Sequence, residues 1–250
     1  SSTAPTVTPS PRQPQKKMPS VANLSLPGTT LPGAVTVTIA DGDALKKQIA
    51  TDRPTMATRK ASEYVLGTIN QAVPETIGGS ADLTGSNNTR VGGQDSYGRD
   101  SAVGSYVHYG VREHGMAAAM NGIALHGGAI PYGGTFLVFT DYCRPSIRLS
   151  ALMRQRVVYV MTHDSIGLGE DGPTHQPVEA LLNFRATPDL LTLRPADANE
   201  VSGAYMVALE NRHTPSVIAL SRQACPNLAG STPEAVRKGA YVLKTTGAAG

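Results

Sequence analysis

The sequence has 250 residues, 40% of them hydrophobic, enough for a sizeable core in one large domain or two small ones. Its formal charge of +3 resides in residues 1–50, with five basic and two acidic side chains, while the other 200 residues hold 17 of each. The neutral body shows no basic face with interleaved aromatics for nucleic acid, no run of about 18 apolar residues for a membrane span, and no apolar N-terminal segment of a secretory signal.

Residues 1–33 carry seven of the eighteen prolines, among Ser, Thr and Gln. Such a segment cannot bury enough apolar surface to offset the entropy of ordering it. Residues 1–50 are therefore expected to be a poorly ordered tail or linker. Residues 34–50 are ambiguous: Val35 to Ala40 alternate like a strand, and the following DGDALKKQIA reads as the start of a short helix. Cys143 and Cys225 each stand alone, without CxxC spacing, and read as buried, reduced thiols of a cytoplasmic protein.

From Pro54 the periodicity sharpens. Residues 57–72 place Ala61, Tyr64, Val65 and Ile69 at helical spacing, and Pro74 stops the run. A strand over 75–81 leads into a Gly/Ser/Asn loop, and residues 91–105 continue as loop. Residues 106–109 read as a strand. Residues 111–128, VREHGMAAAMNGIALHGG, read as a helix whose small side chains permit close approach to another backbone. A strand over 129–136 precedes a helix over 139–153 that Pro145 either kinks or starts. Arg156 to Met161, RVVYVM, read as a buried strand. From its end leaves the polar stretch THDSIGLGEDGPTHQP, residues 162–177. A helix over 177–184, a strand over 190–193, a helix over 198–210 and a strand over 216–220 complete the series, with a last apolar run, GAYVL, at 239–243.

This alternation predicts an α/β fold: a doubly wound, mostly parallel sheet with helices on both faces. Such sheets place ligands outside the carboxyl ends of their strands. Four polar clusters fall at strand ends or helix starts: GGSADLTGSNNT (78–89), YGVREHG (109–115), the stretch 162–177, and LSRQ (220–223).

Glu113 opens an apolar helix. A carboxyl group in apolar surroundings favours its neutral form and can donate a proton; a first-turn glutamate can equally serve only to complement the helix dipole. Phe136, Phe139 and Tyr142 are spaced by three, in a chain with only three Phe and no Trp. They form either core or a flat-walled slot for an aromatic ring. His163 and His175 share their loop with Asp164, Glu170 and Asp171. Their spacing matches no helical zinc pattern. Imidazoles near a sugar hydroxyl or phosphate fit better, since they exchange protons near neutral pH. Arg59 and Arg222, with Ser86, have the chemistry of a phosphate clamp.

These blocks, together with PYGGTFLVFTDYCRPSIRLSALM and RPADANE, occur in the order and spacing of the transketolases, which the sequence closely resembles from about Ala57 to Leu243. The resemblance implies the pyrimidine-binding domain of a thiamine-diphosphate fold over residues 51–230, with 231–250 a linker into a C-terminal domain. It implies transfer of a two-carbon ketol unit from a ketose phosphate to an aldose phosphate, in the pentose phosphate pathway. By resemblance, Glu113 protonates the aminopyrimidine nitrogen, which favours the imino tautomer that activates the thiazolium carbon. Phe136, Phe139 and Tyr142 match the pocket around the pyrimidine, Phe139 foremost, and Asp82 matches a residue close to the cofactor. His163, Asp171 and His175 match groups that hold and deprotonate the sugar. Arg59, Ser86, His175 and Arg222 match contacts to phosphate and hydroxyl groups.

The family's diphosphate motif, GDG followed by Asn, is not found in these residues; Gly42 in IADGDAL lacks its context. Magnesium or calcium ligands are accordingly expected on a diphosphate-binding domain outside them, and none here. The expected partners are sugar phosphates and either a second copy of the chain, as a homodimer, or a chain carrying the diphosphate-binding domain. Two alternatives remain: another thiamine-dependent carboligase such as dihydroxyacetone synthase or deoxyxylulose-phosphate synthase, or a non-catalytic half-site subunit that completes or regulates a partner.

Overall fold

The structure, a computed structural model, describes residues 55–246. The expected tail over 1–50, with its strand-like run at 35–40 and the DGD turn, lies outside the described residues. The elements in order are β1 (Met56–Ala57), α1 (Thr58–Ala72), β2 (Thr76–Ser80), α2 (Thr84–Asn87), β3 (Tyr106–His108), α3 (Glu113–His126), β4 (Ile130–Phe136), α4 (Arg144–Leu152), β5 (Val158–Thr162), α5 (Ala180–Arg185), β6 (Leu191–Leu193), α6 (Ala198–Glu210), β7 (Ser216–Leu220) and β8 (Ala224–Cys225). Three 3₁₀ segments cover Leu137–Tyr142, Ile166–Leu168 and Pro233–Lys238.

Six strands form one parallel sheet in the order β3-β2-β4-β5-β7-β6, as the alternation of strands and helices predicts. The helices lie on both faces, and β5 shows why. Its side chains alternate between two cores, so both faces must be apolar. Val158 and Val160 pack with Leu66 and Ile69 of α1 and with Val201 and Tyr205 of α6. Tyr159 and Met161 pack with Met116 and Met120 of α3, Ile147 of α4 and Phe184 of α5.

Because the sheet is parallel, the ends of β2, β4, β5 and β7 all open on the same edge. Two devices hold other segments to that edge. The Thr58 hydroxyl accepts the backbone N–H of Ser221 at 2.7 Å, and the Ser221 hydroxyl accepts that of Thr58 at 3.0 Å, so α1 begins against the end of β7. Beside this contact β1 and β8 pair antiparallel, Met56 against Cys225 and Ala57 against Ala224. At the start of α6, Asp197 accepts from Glu200 N as a helix cap and from Ser231 Oγ and Leu228 N with its second oxygen. The Tyr241 hydroxyl donates to Glu200 at 2.5 Å, so residues 228–241 lie along this helix.

The expected helix over 139–153 is two elements. Residues 137–142 form a 3₁₀ segment, and α4 begins at Arg144 with Pro145 in its first turn, where a missing N–H costs nothing. The helix expected over 177–184 is shorter and later, Ala180–Arg185. The loop after β2 contains the one-turn helix α2, ended by Asn88 in the left-handed region.

Gly134 of β4 lets α2 approach the sheet. A Cβ there would stand 2.7 Å from Thr89 Cγ2 and 3.1 Å from Asn87 Cβ. Gly134→Ala is expected to overpack this contact and lower stability by about 1–3 kcal/mol. Denaturant unfolding checks it: an unchanged midpoint would mean that α2 yields without cost.

Candidate active site

Phe136 is the last residue of β4, and Phe139 and Tyr142 follow on the 3₁₀ segment. A 3₁₀ helix has three residues per turn, so a spacing of three puts these rings on one side. Phe136 and Phe139 are stacked, with centroids 5.6 Å apart and planes 6° apart. Tyr142 continues the row, 6.1 Å from Phe139, and is 66% exposed.

The polar stretch after β5 folds onto this row. His163 lies on the Phe136 face, with centroids 3.6 Å apart at 23°. His175 meets Phe139 edge-on at 5.2 Å and Phe136 at 6.0 Å. The two loop histidines, eleven residues apart in sequence between them, therefore converge on one aromatic platform. Their loop turns at Ser165, whose side chain accepts from Gly167 N and caps the 3₁₀ turn Ile166–Leu168.

Charged groups surround the platform. Arg59, in the first turn of α1, donates from Nη1 to the Ser86 backbone carbonyl at 2.7 Å. Burial and the neighbouring Arg222 guanidinium pull Arg59 below the ordinary arginine range, and Asp171 opposes them. Arg222, after β7, pairs with the exposed Glu170 at 2.5 Å. Such an exposed pair contributes little, so an anionic ligand can take its place. His163 is 2% exposed and is pushed down to about 4, first by burial and next by Arg59; Arg222 and His175 add to this, against Asp171. It is a neutral imidazole at physiological pH.

Glu113 is the first residue of α3, 8% exposed, with no hydrogen-bond partner among the described residues. It lies close enough to Cys143, the residue after Tyr142, for its charge to act on that thiol. Burial first, then Glu113 and Asp141, push Cys143 up to about 12. Both cysteines are free; Cys143 is buried as expected, but Cys225 is only half-buried, because β8 is a two-residue edge ribbon outside the main sheet. Asp82, after β2, is exposed and has a left-handed φ of 63°, and it makes no hydrogen bond or ion pair with the other site residues. His163 has a φ of 60°. Two strand ends on the same sheet edge thus carry backbone strain.

Phe136, Phe139, Tyr142, His163 and His175 are brought together, Arg59, Asp171 and Arg222 act on His163, and Glu113 acts on Cys143; Asp82 and the Ser86 side chain show no such tie. Sequence reading gave no role to Asp164, which is buried and bridges Arg194 at 2.8 Å, nor to Asn87 and Thr162, which hydrogen-bond beneath the platform at 2.7 Å. Asn87 lies inside a quoted motif, but its burial depends on tertiary packing at Gly134. Among the described residues no group of three or more His, Cys, Asp or Glu is arranged to hold a metal, and no helix is long and apolar enough to cross a membrane.

The family described as "Transketolase, pyrimidine binding domain" matches residues 54–227. A transketolase of Cereibacter sphaeroides is 58% identical over 206 residues, which cover 82% of this chain and 31% of that one. The chain thus spans about a third of the length of the curated relatives it matches. A Pichia stipitis transketolase in complex with sedoheptulose 7-phosphate superposes with a TM-score of 0.76 at 52% identity, covering 78% of this chain and 30% of that one. A split-gene transketolase chain, described as an inactive β4 tetramer, superposes with a TM-score of 0.58 at 26% identity, covering 72% and 56%.

The depressed His163 sets a pH dependence. In the unfolded chain the imidazole takes up its proton near its ordinary 6.5, whereas in the folded chain it does so only near 4. The folded state is therefore expected to lose roughly 1–3 kcal/mol as pH falls through this window, with no further loss below it. Unfolding of the parent and of His163→Gln between pH 7 and 4 tests this. The variant should show the shallower decline, and equal declines would contradict the assignment.

Proposed function

Because this chain belongs to the transketolase family through its pyrimidine-binding domain, we propose that it builds the pyrimidine side of a thiamine-diphosphate site for two-carbon ketol transfer between sugar phosphates. One observation carries the reading: the stacked rings at the end of β4 meet both loop histidines, and the buried Glu113 acts on Cys143, the residue that follows the row. A row of rings next to a lone carboxyl group fits a flat heterocycle that has a nitrogen to hydrogen-bond.

Phe139, Phe136 and Tyr142 would form the wall against the pyrimidine, with Asp82 near it. Glu113 would present its carboxyl group to the ring nitrogen from the buried start of α3. Bound thiamine diphosphate supplies the nucleophilic carbon on which ketol transfer depends. Arg59 and Arg222, close enough that the Arg222 guanidinium helps to lower Arg59, create a positive field suited to a sugar phosphate. Ser86, whose backbone carbonyl accepts from Arg59, would add a contact to the same phosphate. His163, Asp171 and His175 would contact sugar hydroxyls, with His163 and His175 in the acid–base role. Magnesium or calcium and the diphosphate would be held by a diphosphate-binding domain, in a second copy of this chain's full protein or in a different chain. The setting is the pentose phosphate pathway in the cytoplasm, where free thiols such as Cys143 and Cys225 persist.

A second reading, a non-catalytic half-site subunit that completes or regulates a partner chain, is favoured by the split-gene neighbour described as an inactive β4 tetramer. One experiment separates the two. The chain is assayed for ketol transfer alone and after mixing with a transketolase diphosphate-binding domain, as parent and as Glu113→Gln. Activity is expected only in the mixture, with the variant lower by about 10²–10⁴-fold at unchanged helicity. A variant within a few-fold of the parent would remove Glu113 from the chemistry, and robust turnover by the chain alone would remove the half-site.

A further inference from the structure

Beneath the aromatic platform runs a line of buried polar side chains: Ser80, Asn87, Thr162 and His163, none more than 2% exposed. They come from β2, α2 and β5, and each has a defined partner. The Ser80 oxygen accepts the backbone N–H of Leu83 at 3.1 Å, and its hydroxyl donates to Asn87 Oδ1 at 3.0 Å, with Gly134 O a second acceptor at 3.2 Å. With Oδ1 turned to Ser80, the amide nitrogen of Asn87 faces the other way and donates to Thr162 Oγ1 at 2.7 Å. Thr162 then has one proton to give. His163 Nδ1 lies 2.9 Å from its oxygen, and no other acceptor for that proton is present among the described residues.

A neutral imidazole carries one proton and offers one lone pair. If Nδ1 receives the Thr162 proton, the ring's own proton must be on Nε2. That nitrogen has no hydrogen-bond partner among the described residues and is not sealed from solvent. The ring cannot readily turn to present its other edge. Turned over, it would keep its face on Phe136 but lose the Thr162 contact at Nδ1. With Asn87 Oδ1 on Ser80 and its amide nitrogen on Thr162, the bonds from Ser80 to His163 all run in one direction.

We propose that Ser80, Asn87 and Thr162 are positioning residues that lock His163 in the Nε2–H form, so that it offers a hydrogen bond to a ligand oxygen and does not take a proton from one. The identity of that oxygen, on a sugar phosphate, rests on the function proposed above. The tautomer does not, because it follows from the chain without any ligand. On this assignment the proton-accepting share of sugar handling falls to groups other than His163.

Long-range proton–nitrogen NMR of the ligand-free chain near pH 7 reads the tautomer directly, with His163 assigned by loss of its signals in His163→Gln. The expected pattern is a protonated Nε2 and an unprotonated Nδ1. Thr162→Val keeps the shape and removes the hydroxyl, so its His163 is expected to shift toward a mixture of tautomers, while Thr162→Ser should restore the parent pattern. Asn87→Asp replaces a donor by an acceptor. Thr162 would then donate to the carboxylate and accept from His163, which moves the proton to Nδ1. A purely structural network would change stability in these variants and leave the tautomer alone. A parent spectrum with the proton on Nδ1 overturns the proposal, as does a folded Thr162→Val chain with the parent pattern. If the variants do not fold, the parent spectrum decides the tautomer. Neither cofactor nor sugar is present, so failure here is separate from failure of ketol transfer.

Discussion

The contact on which the site depends is the stack of His163 on Phe136. Phe136 ends β4 and His163 directly follows its neighbour β5 in one parallel sheet, and the stack ties the polar loop after β5 to the aromatic row after β4. An aromatic pair contributes about 0.5–1.5 kcal/mol beyond the area it buries. A left-handed φ at a non-glycine residue costs about 1–2 kcal/mol. The two are of similar size, so the stack offsets much of the strain at His163. Without the ring beneath it, the backbone at the end of β5 would relax, and His175 would lose the edge that Phe136 and Phe139 present to it.

The same ring sets the electrostatics. Stacked on Phe136 and enclosed by neighbouring side chains, His163 loses hydration. Two nearby guanidinium groups then disfavour its protonation further, and Asp171 only partly compensates. A neutral imidazole beside two cations makes a site that attracts an anion without adding a third positive charge. The cations are held in different ways: Arg59 is half-buried and anchored to the Ser86 carbonyl, whereas Arg222 is tethered only to an exposed glutamate. One is a fixed wall and the other an exchangeable contact.

Much of this was legible in the sequence where a single physical cause acts locally. RVVYVM reads as a buried strand because both of its faces meet apolar layers. The parallel sheet follows from alternation, and the polar clusters at strand ends follow from the sheet. What was not legible depends on contacts between distant segments. A spacing of three in Phe136, Phe139 and Tyr142 fits both an α-helix and a 3₁₀ turn, and only Pro145 at the start of α4 separates them. β1 and β8, two residues each, have no period to read. Asn87 looks like one more loop asparagine until α2 settles on Gly134. Cys225 differs from its expected burial because the ribbon that carries it lies at the edge of the fold.

The face proposed for a cofactor carries, among the described residues, rings, a carboxyl group, two histidines and two arginines, with no metal cluster. Its complement is expected from a diphosphate-binding domain. The most direct measurement is a crystal structure of this chain bound to such a domain and to thiamine diphosphate. The pyrimidine ring should lie against Phe139, with the Glu113 carboxyl within hydrogen-bond reach of a ring nitrogen. A pyrimidine bound away from the β4 aromatic row, or a Glu113 turned from it, would contradict the assignment of this face.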